Sequence, residues 1–360
     1  MEIRADFHIH SKYARATSKD MNILSIAEFA KVKGLDVIGT GDFTHPKWLE
    51  EIENTLEECD GLLKLKDSDV RFILSGEISS IYTHNGKVHR VHNIVLMPSI
   101  KSVKKLNEEL KSLGCNLCSD GRPIVGLSSK KLLEIVLEVD RDAVFIPAHI
   151  WTPWFSLFGS KSGYDTIEDC FEELTPFIKT METGLSSDPE MNWGFSLLDN
   201  ITLISNSDCH SLDNLGRECN VLDCDLNYMS ITDAIQSNDR SKFLYTIEFY
   251  PEEGKYHYDG HLDCNVCLSP SESKKLNNLC PVCGKPLVIG VANRVFELSD
   301  KQKINSNNRI PFKYAIPLKQ IISQMLKVGV SSKKVSLYYE NAINTLGNEL
   351  DILIKIPTNI

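Results

Sequence analysis

The first residues that could do chemistry are two histidines, His8 and His10, which directly follow a short apolar segment. Side chains two positions apart on an extended chain point to the same side, so both imidazoles can aim at one place. Neutral imidazole binds Zn, Mn, Fe or Ni, and neighbouring carboxylates add oxygens that can join two cations. Glu77 and Asp208 are the candidates for this bridging and catalytic role. These residue types predict a site for more than one metal ion.

Metal-capable residues recur along the chain, each close to the end of a strand candidate. They are Asp42, His45, Glu77, His92, His149, Glu182, Asp208 and His210. A barrel brings the carboxyl ends of its strands to one face, where active sites lie. A single histidine is usually structural, but this repeated placement favours a shared metal site. Glu182 is interpreted as either a ligand or an orienting group.

The segments that must position these residues alternate between strand-like and helix-like patterns. The strand candidates are 3–8, 36–40, 70–75, 92–96, 143–147, 179–183 and 201–205. The helix candidates are 23–33, a segment starting at 46, 102–113, 129–139, 189–198, 318–327 and 338–346. Repeated strand–helix units predict a mainly parallel sheet, either open or closed.

A histidine-rich set with a few carboxylates favours hydrolysis of phosphate esters. Paired cations lower the pKa of a shared water to roughly 7 and stabilise both the attacking and the leaving oxygen of a displacement at phosphorus. Hydrolysis of an amide or deamination on a similar barrel is the alternative chemistry.

Four cysteines form a second cluster with metal-ligand spacing. Cys264 and Cys267 make one CxxC pair, and Cys280 and Cys283 make another after twelve intervening residues. Four thiolates at this spacing are typical of a closed, tetrahedral, structural Zn site, and a redox role is the weaker interpretation.

Charge and composition divide the chain further. Residues 264–334 contain twelve Lys or Arg against three Asp or Glu, although the whole chain of 360 residues has a net charge of -10. The basic part suits a phosphate backbone, with a solvated face as the alternative. We expect a phosphoesterase barrel over 1–240, a zinc module over 241–295, and a basic, partly helical region over 296–360.

Other features bear on where the protein works. The N-terminus lacks a basic segment followed by an apolar run, so it does not resemble a signal peptide, and no apolar stretch is long enough to span a membrane. Eleven scattered cysteines favour the reducing cytoplasm over a secreted disulfide framework. We therefore expect a cytoplasmic protein without a membrane partner.

The motif series resembles the PHP (polymerase and histidinol phosphatase) superfamily. The matching residues are His8, His10, Asp42, His45, Glu77, His92, His149, Asp208 and His210. The resemblance implies a distorted (β/α)7 barrel, three metals held by these nine residues at the carboxyl ends of the strands, and a metal-bound hydroxide as nucleophile. The cofactors expected are thus two to three divalent cations (Zn, Mn or Mg) and one structural Zn.

Within that superfamily, residues 10–21, 39–46, 147–161, 182–189 and 246–261 resemble the endonuclease Q family. This resemblance implies an enzyme that nicks DNA on the 5′ side of uracil, hypoxanthine, xanthine or an abasic site. Arg15 stands where many other superfamily members have a third histidine, which suits this family better than a phosphatase. Comparable family members continue beyond residue 360, so the C-terminal region is expected to be a shortened, partial helical domain. Damaged DNA is the expected partner, and a sliding clamp is a weaker expectation.

Several residues are candidates for contact with the substrate. Trp151 and Trp154 follow His149 and are able to stack on a base, and Gly184 and Ser186 can present backbone or hydroxyl groups to a base edge. Arg15 is a further candidate, and ordinary core packing is the alternative for both tryptophans. The alternatives to a lesion-specific endonuclease are a small-molecule phosphomonoesterase and a non-catalytic DNA-binding module.

Overall fold

The computed structural model describes residues 1–301, 303 and 306–356. Its strands are β1 (Glu2–Asp6), β2 (Val37–Gly39), β3 (Leu56–Cys59), β4 (Leu62–Leu65), β5 (Arg71–His84), β6 (Lys87–Met97), β7 (Ile124–Val125), β8 (Val144–Pro147), β9 (Thr180–Glu182), β10 (Thr202–Ile204), β11 (Cys219–Asp223), β12 (Phe243–Glu248), β13 (Asp259–His261), β14 (Val266–Leu268) and β15 (Phe312–Tyr314).

The helices lie mostly between these strands. They are α1 (Ile23–Lys33), α2 (Pro46–Thr55), α3 (Ile100–Ser112), α4 (Ser129–Val139), α5 (Glu168–Phe171), α6 (Pro189–Asn192), α7 (Tyr228–Gln236), α8 (Pro270–Lys275), α9 (Val291–Leu298), α10 (Leu318–Leu326), α11 (Lys333–Leu346) and α12 (Glu349–Ile354).

The two helices predicted most accurately carry clear end signals. Helix α1 begins after Asn22, whose side chain accepts a hydrogen bond from the Ser25 amide, and it ends at Gly34 with a φ of 90°. A side-chain acceptor satisfies a free amide at the start of a helix, and glycine adopts the left-handed conformation at its end without strain. Helix α4 starts after Ser128 in the same way. Both helices have the predicted bounds because their caps are local in sequence.

A large mixed sheet positions the metal-capable residues. Strand β1 lies between β2, which runs parallel to it, and β11, which runs antiparallel. Beyond β2, the sheet continues through β5, and the β5–β6 hairpin leads to β8 through antiparallel pairs. Strands β9 and β10 form a separate parallel pair. The α/β class is confirmed, whereas the expected mainly parallel sheet is wrong, because antiparallel pairs join β5, β6, β8 and β11 to their neighbours.

The long β5–β6 hairpin is the main element that the sequence patterns missed. Its eleven paired positions run from Leu74–Met97 to His84–Lys87. Asn85 and Gly86 at its tip have φ values of 48° and 77°. An Asn-Gly dipeptide between apolar segments is a strong local signal for a two-residue hairpin turn, so this feature could have been found.

The sheet continues past residue 240. Strand β12 pairs with β11, and β15 pairs with β12. Helix α12 packs beside α1 and β1. Lys33 Nζ on α1 lies 2.7 Å from Glu349, and Arg4 on β1 lies 2.6 Å from Asp351. The segments on both sides of the cysteine-containing region therefore contact the large sheet or α1.

Candidate metal centre

Two segments of the chain lie side by side at the centre of the site. His8 and His10 follow β1, and Asp208 and His210 lie on the loop after β10. Ile9 and Cys209 form an isolated parallel bridge, and the His10 amide donates to the Cys209 carbonyl over 3.0 Å. The backbone pairing therefore turns the flanking side chains of both arms toward the same place. Cys209 itself is fully buried, as expected for a small apolar side chain.

The β5–β6 hairpin supplies the opposite side of the site. His92 on β6 pairs with Ser79, and Glu77 lies two residues before Ser79 on the same face of β5. The two side chains meet, with 2.6 Å between His92 Nδ1 and Glu77 Oε1. His149, just beyond β8, brings its Nε2 to 3.2 Å from the same oxygen. Glu77 and His92 thus lie within strands, not at strand ends as expected.

Three groups of side chains in the described part of the chain have the spacing to hold a metal ion here. They are His8, His10 and Glu77; His10, Asp208 and His210; and Glu77, His92 and His149. Within each group the ligand atoms lie within 4.8 Å of one another. The structure therefore brings together seven of the nine residues proposed as ligands.

Glu77 and His10 link the three groups. Glu77 presents Oε2 to His10 Nε2 at 3.3 Å and to His8 Nε2 at 3.5 Å, and it presents Oε1 to His92 and His149. One oxygen for each group is the arrangement of a bridging carboxylate. Asp208 Oδ1 lies 3.1 Å from His10 Nε2 and 3.6 Å from His8 Nε2.

Carboxylates behind the histidines fix the orientation of their rings. Glu182 accepts from His8 Nδ1 at 3.0 Å, and Asp42 accepts from His10 Nδ1 at 3.0 Å. Thr152 holds His149 Nδ1 in the same way at 3.1 Å. A partner on Nδ1 leaves the Nε2 lone pair free for a cation and makes the ring a stronger base. Glu182 thus has the geometry of an orienting group.

Two residues proposed as ligands are not brought into these groups. Asp42 is buried and faces the rear nitrogen of His10, and it also accepts from the Ser11 amide and hydroxyl at 2.6 Å. His45 stacks on Tyr13 with 4.5 Å between ring centroids and is the N-cap residue that precedes α2. Asp42 and His45 therefore lie outside the three groups, because the turn after β2 directs them away from the shared face, and direct metal binding by either residue stays a prediction.

Backbone conformation at the site is unusual. Asp42, His149 and Asp208 have φ values of 50°, 30° and 43°. Residues other than glycine in this region cost on the order of 1–3 kcal/mol each and are held there only by surrounding contacts. Gly184 also has a positive φ of 72°, and a Cβ atom there would lie 2.5 Å from His149 Cβ. Position 184 therefore requires glycine, because any side chain there would collide with His149.

The electrostatics fit a bound cation. Burial lowers the pKa of His8, but the carboxylates of Glu182, Glu77 and Asp208 outweigh it and raise that pKa well above its ordinary value. His8 Nε2 is buried and has no hydrogen-bond partner among the described residues. The lone pair of a ring nitrogen repels the lone pairs of a carboxylate oxygen that faces it. A proton or a cation between the two atoms removes this repulsion. The donor set therefore suits divalent metals.

Arg122 is a charged residue that the sequence patterns missed. Its guanidinium lies 3.1 Å from Glu77 Oε2. Burial raises the pKa of Glu77, but His92, Arg122 and His8 together lower it well below its ordinary value. Arg122 is near no recognisable motif, and only the fold brings it to Glu77.

A cavity of about 630 Å³ opens beside these groups. Its basic lining residues are Arg15, Arg90, Arg122 and Lys255. Its other lining residues are Ser79, His92, Asp120, Ile124, His149, Thr152, Trp154, Phe155, Gly184, Leu185, Ser186, Asp208 and Tyr256. A cavity with metal-capable groups, four cationic side chains and aromatic walls suits a nucleic-acid phosphate with a base beside it.

Of the five residues proposed to contact substrate, the structure places four in the cavity lining and one in the core. Arg15, Trp154, Gly184 and Ser186 line the cavity. Trp151 does not, since it is only 1% exposed, packs on Phe158 and donates from its indole nitrogen to Asn192 at 2.6 Å. The expectation that Trp151 contacts substrate is wrong, because the turn after His149 directs its ring into the core.

Comparison with solved structures now identifies the family. The chain matches the lesion-specific endonuclease PfuEndoQ from Pyrococcus furiosus with a TM-score of 0.87 and 32% identity, covering 99% of this chain and 86% of that one. It matches endonuclease Q in complex with a 27-mer duplex substrate, with an abasic lesion at the active site, with a TM-score of 0.88 and 32% identity, covering 99% and 87%. The chain belongs to the endonuclease Q family. The predicted family resemblance is confirmed.

Sequence comparison finds a further relative. The protein MJ0043 of Methanocaldococcus jannaschii is 34% identical over 232 residues. That match covers 61% of this endonuclease Q family member but only 28% of MJ0043. Residues 317–359 also match the family model of the MJ0043 C-terminal domain. The described helices α10, α11 and α12 lie in this last segment. In the described ranges no helix has the length and apolar character that crossing a membrane requires.

The cysteine cluster of this family member differs from the expected four-cysteine set. The sulfur atoms of Cys264, Cys280 and Cys283 group with a ring nitrogen of His261, all within 4.8 Å of one another. Cys267 is exposed and lies outside this group. The expected set of four cysteines is therefore not what the structure brings together. In the sequence, His261 is the last residue of the segment 246–261, which resembles the endonuclease Q family.

Proposed function

We propose that this chain is a DNA repair endonuclease that hydrolyses the phosphodiester on the 5′ side of a deaminated base or an abasic site. The observation that carries the proposal is the match over 99% of the chain to endonuclease Q with a damaged duplex at its active site. Uracil, hypoxanthine and xanthine are the deaminated bases proposed as substrates. Damaged DNA is the proposed partner, and nothing in the described residues supports a sliding-clamp contact.

The residues of the barrel would hold two or three divalent cations, of which Zn, Mn and Mg are the candidates. His8, His10, Glu77, His92, His149, Asp208 and His210 would bind them, with Glu77 shared between two groups. When bound, such cations activate a water molecule near neutral pH and stabilise negative charge on phosphoryl oxygens.

The protein side chains prepare this centre for a phosphodiester. Asp42 and Glu182 hold the rings of His10 and His8 from behind, so little reorganisation is needed when substrate arrives. Arg122, beside Glu77, has further N–H groups to offer a phosphate oxygen. Arg15 and Arg90 at the cavity wall would position the neighbouring phosphates.

The aromatic wall would hold an extruded nucleotide. Phe155 packs on His92 with 4.7 Å between ring centroids, and Arg90 lies 5.7 Å from the Phe155 ring. Trp154 lies next to it in the cavity lining. Enzymes that act at a damaged base take it out of the stack and hold it against aromatic side chains, which costs less when pairing is already weakened. The 184–186 loop across the cavity would then face the edge of that base.

The test uses end-labelled duplexes that contain one uracil, hypoxanthine, xanthine or abasic site at a known position. The full chain is incubated with each duplex and Mg²⁺, Mn²⁺ or Zn²⁺, and the products are mapped to nucleotide resolution beside an undamaged duplex. We expect a nick 5′ of the lesion and none in the matched control. Absence of a lesion-dependent nick with every metal would overturn the proposal.

An Asp208→Asn variant distinguishes the enzyme from a DNA-binding module. Loss of a direct ligand is expected to lower nicking by more than the roughly 100-fold that marks the upper range for outer partners of a metal site. Binding of the lesion duplex, followed by fluorescence anisotropy, should persist. Release of phosphate from histidinol phosphate without any DNA cleavage would instead favour a phosphomonoesterase.

A further inference from the structure

Two buried glutamates lie behind the wall of the cavity and take no part in the proposed metal chemistry. Glu218 and Glu248, called the glutamate pair below, are both fully buried. We propose that their carboxyl groups share one proton near neutral pH, and that loss of this proton loosens the 184–186 loop that borders the cavity. The inference concerns the folded chain itself and does not depend on the proposed nuclease activity.

The register of β11 and β12 places the two carboxyl groups side by side. Cys219 is directly opposite Ile247 in this antiparallel pair of strands. The next two opposite positions are therefore Glu218 and Glu248. Directly opposite residues point to the same face, with Cβ atoms roughly 4.5–5.5 Å apart. The Glu218 side chain does reach the neighbouring strand end, because its Oε1 accepts from the Phe249 amide at 3.2 Å.

Hydrogen bonds around the glutamate pair satisfy one oxygen of each carboxyl group and leave the other free. Glu248 Oε1 accepts from the hydroxyl groups of Ser205 and Thr246. The Oε2 atoms of Glu218 and Glu248 are buried and have no hydrogen-bond partner among the described residues. Burying an ionised oxygen without a donor is costly, whereas a protonated carboxyl group can donate to a neighbouring oxygen.

The charged groups around the glutamate pair do not offset two negative charges. They are Arg217 before β11, Glu182 at the end of β9, and Asp188, which precedes α6. The Arg217 guanidinium is held by the Ser207 carbonyl, to which it donates at 2.8 and 2.9 Å. The other two groups are carboxylates, so they add negative charge and favour a proton on the pair.

The pKa values agree with this arrangement. Burial and the Glu248 carboxyl group outweigh Arg217 and raise the pKa of Glu218 well above its ordinary value. Burial raises the pKa of Glu248 to about 8, and Asp188 adds to the effect. Two carboxyl groups this close cannot both ionise readily, so one proton is retained by the pair as a whole.

A bound cation is the other way to offset the charge, but the oxygen atoms are too few. The glutamate pair offers two free oxygens, one from each carboxyl group. Ca²⁺ and Mg²⁺ take about six or more oxygen ligands, and a fully buried pair leaves little room for water to complete the set. A proton needs only one donor and one acceptor, so it fits the site better.

The glutamate pair is connected to the cavity wall through Ser205. Besides its bond to Glu248, the Ser205 hydroxyl lies 2.8 Å from the Thr183 hydroxyl. The Thr183 carbonyl accepts from the Ser187 hydroxyl at 2.9 Å, which closes the loop that contains residues 184–186. Those three residues line the cavity. Repulsion between two ionised carboxylates would displace Glu248 and disturb the Ser205 contact that holds this loop.

The first test compares wild type with a Glu218→Gln, Glu248→Gln double variant, using the full chain saturated with Mn²⁺. Glutamine matches glutamate in size and stays neutral, so it stands in for the protonated form. A pKa raised by folding stabilises the fold fully below the unfolded value of roughly 4.3, and this contribution is lost as the pH rises through the folded pKa. Between about pH 5 and pH 8, the wild-type unfolding constant should rise about tenfold more per pH unit than that of the double variant.

The controls separate the glutamate pair from other titrating groups. Asp6 and the histidines are present in both chains, so their contributions cancel in the comparison. Glu138→Gln, at an exposed position, should follow the wild-type pH dependence. Equal pH dependence in wild type and the double variant would overturn the shared proton. A double variant that is less stable than wild type by the same factor at every pH would show an ionised pair held by a cation.

The second test follows the loop by hydrogen exchange of the peptide that contains residues 183–188. Relative to the intrinsic exchange rate, protection should fall above about pH 8 in wild type and stay constant in the double variant. Protection that does not change with pH in wild type would overturn the link between the pair and the wall.

An infrared measurement on wild type keeps the proposal falsifiable even if the double variant does not fold. The carbonyl band of a protonated carboxyl group should be present at about pH 7, where ordinary glutamates are ionised, and should disappear by about pH 9. The absence of this band at about pH 7 would overturn the proposal.

Discussion

The two metal-capable regions of this chain are built in opposite ways. The first cluster joins residues from His8 to His210, and the rings of its first two histidines are held from behind by buried carboxylates. The cluster of His261, Cys264, Cys280 and Cys283 lies within 23 positions of the sequence, and no carboxylate belongs to it. The first opens onto a cavity of about 630 Å³ with four cationic side chains. The first cluster thus depends on long-range packing, whereas the second depends on a local turn and ribbon.

The two clusters should respond differently to pH, and the largest effect is expected at the cluster that contains His8 and His10. Burial lowers the pKa of His10, but Asp42, Asp208 and Glu77 outweigh it and raise that pKa well above its ordinary value. His8 behaves alike, so in the cation-free chain both rings hold protons that a metal must displace. Each displaced proton makes the binding constant rise about tenfold per pH unit below the pKa of that ring. Calorimetric titration with Mn²⁺ from about pH 6 to about pH 8, in two buffers of different ionisation enthalpy, measures affinity and proton release. Affinity that is flat over this range, with no proton release, would contradict the prediction.

The stability of the cation-free chain should show the matching trend. Raised histidine pKa values stabilise the fold fully below the unfolded pKa of roughly 6.5, and this contribution is lost as the pH rises through the folded pKa. Glu77 contributes in the reverse sense, because its lowered pKa stabilises the fold above the unfolded value of roughly 4.3 and is lost as the pH falls. Thermal unfolding in the presence of a chelator should therefore show a decline in the alkaline range that added Mn²⁺ removes.

The next effect concerns the carboxylates behind His8 and His10. Asp42→Asn keeps the size of the side chain but loses the charge that supports His10 Nδ1. Loss of an outer partner typically lowers metal affinity or activity by about 10–100-fold. His45→Phe, which preserves the stack on Tyr13, should change activity far less because His45 lies outside the three groups. Nicking rates of the two variants and the wild type are compared at several Mn²⁺ concentrations. Equal losses in both variants would indicate that His45 binds metal after all.

A smaller effect is expected at the loop that borders the cavity. Gly184→Ala adds a Cβ 2.5 Å from His149 Cβ at a φ of 72°. The strained backbone alone should destabilise the fold by more than about 1 kcal/mol, and the push on His149 should lower nicking. Gly126→Ala is the matched control, since no atom lies within 4 Å of its Cβ position. Denaturant unfolding and nicking rates test both variants, and a Gly184→Ala protein equal to the control would contradict this account of the loop.

The smallest effect tests the link between the two regions. His257, four residues before the cluster, has its Nδ1 3.0 Å from the Ser186 carbonyl at the cavity wall. His257→Ala removes a hydrogen bond of about 1 kcal/mol, so we expect KM for a lesion duplex to rise roughly fivefold while kcat changes little. His84→Ala serves as the control. An unchanged KM would show that the cluster region does not position this wall.

The same difference between the regions explains what could be predicted from the sequence. Helices α1 and α4 were predicted with correct bounds because Asn22, Gly34 and Ser128 mark their ends locally. His8, His10, Asp208 and His210 were recognised because alternate residues on an extended chain share a face. Asp42, His45 and Trp151 were misplaced, because each follows a turn whose direction the local sequence does not specify.

The sequence by itself determined the residue types, their short spacings and the family, and these predict divalent metals and phosphoester chemistry. Only the tertiary structure decided which nitrogen of each histidine is free, that Arg122 meets Glu77, and that His261 takes the place expected for Cys267. The physical reason is the distance along the sequence over which each kind of interaction acts. Caps and alternation act over a few residues, whereas a ligand group needs atoms from distant strands brought within 4.8 Å, and only packing and strand register set that distance.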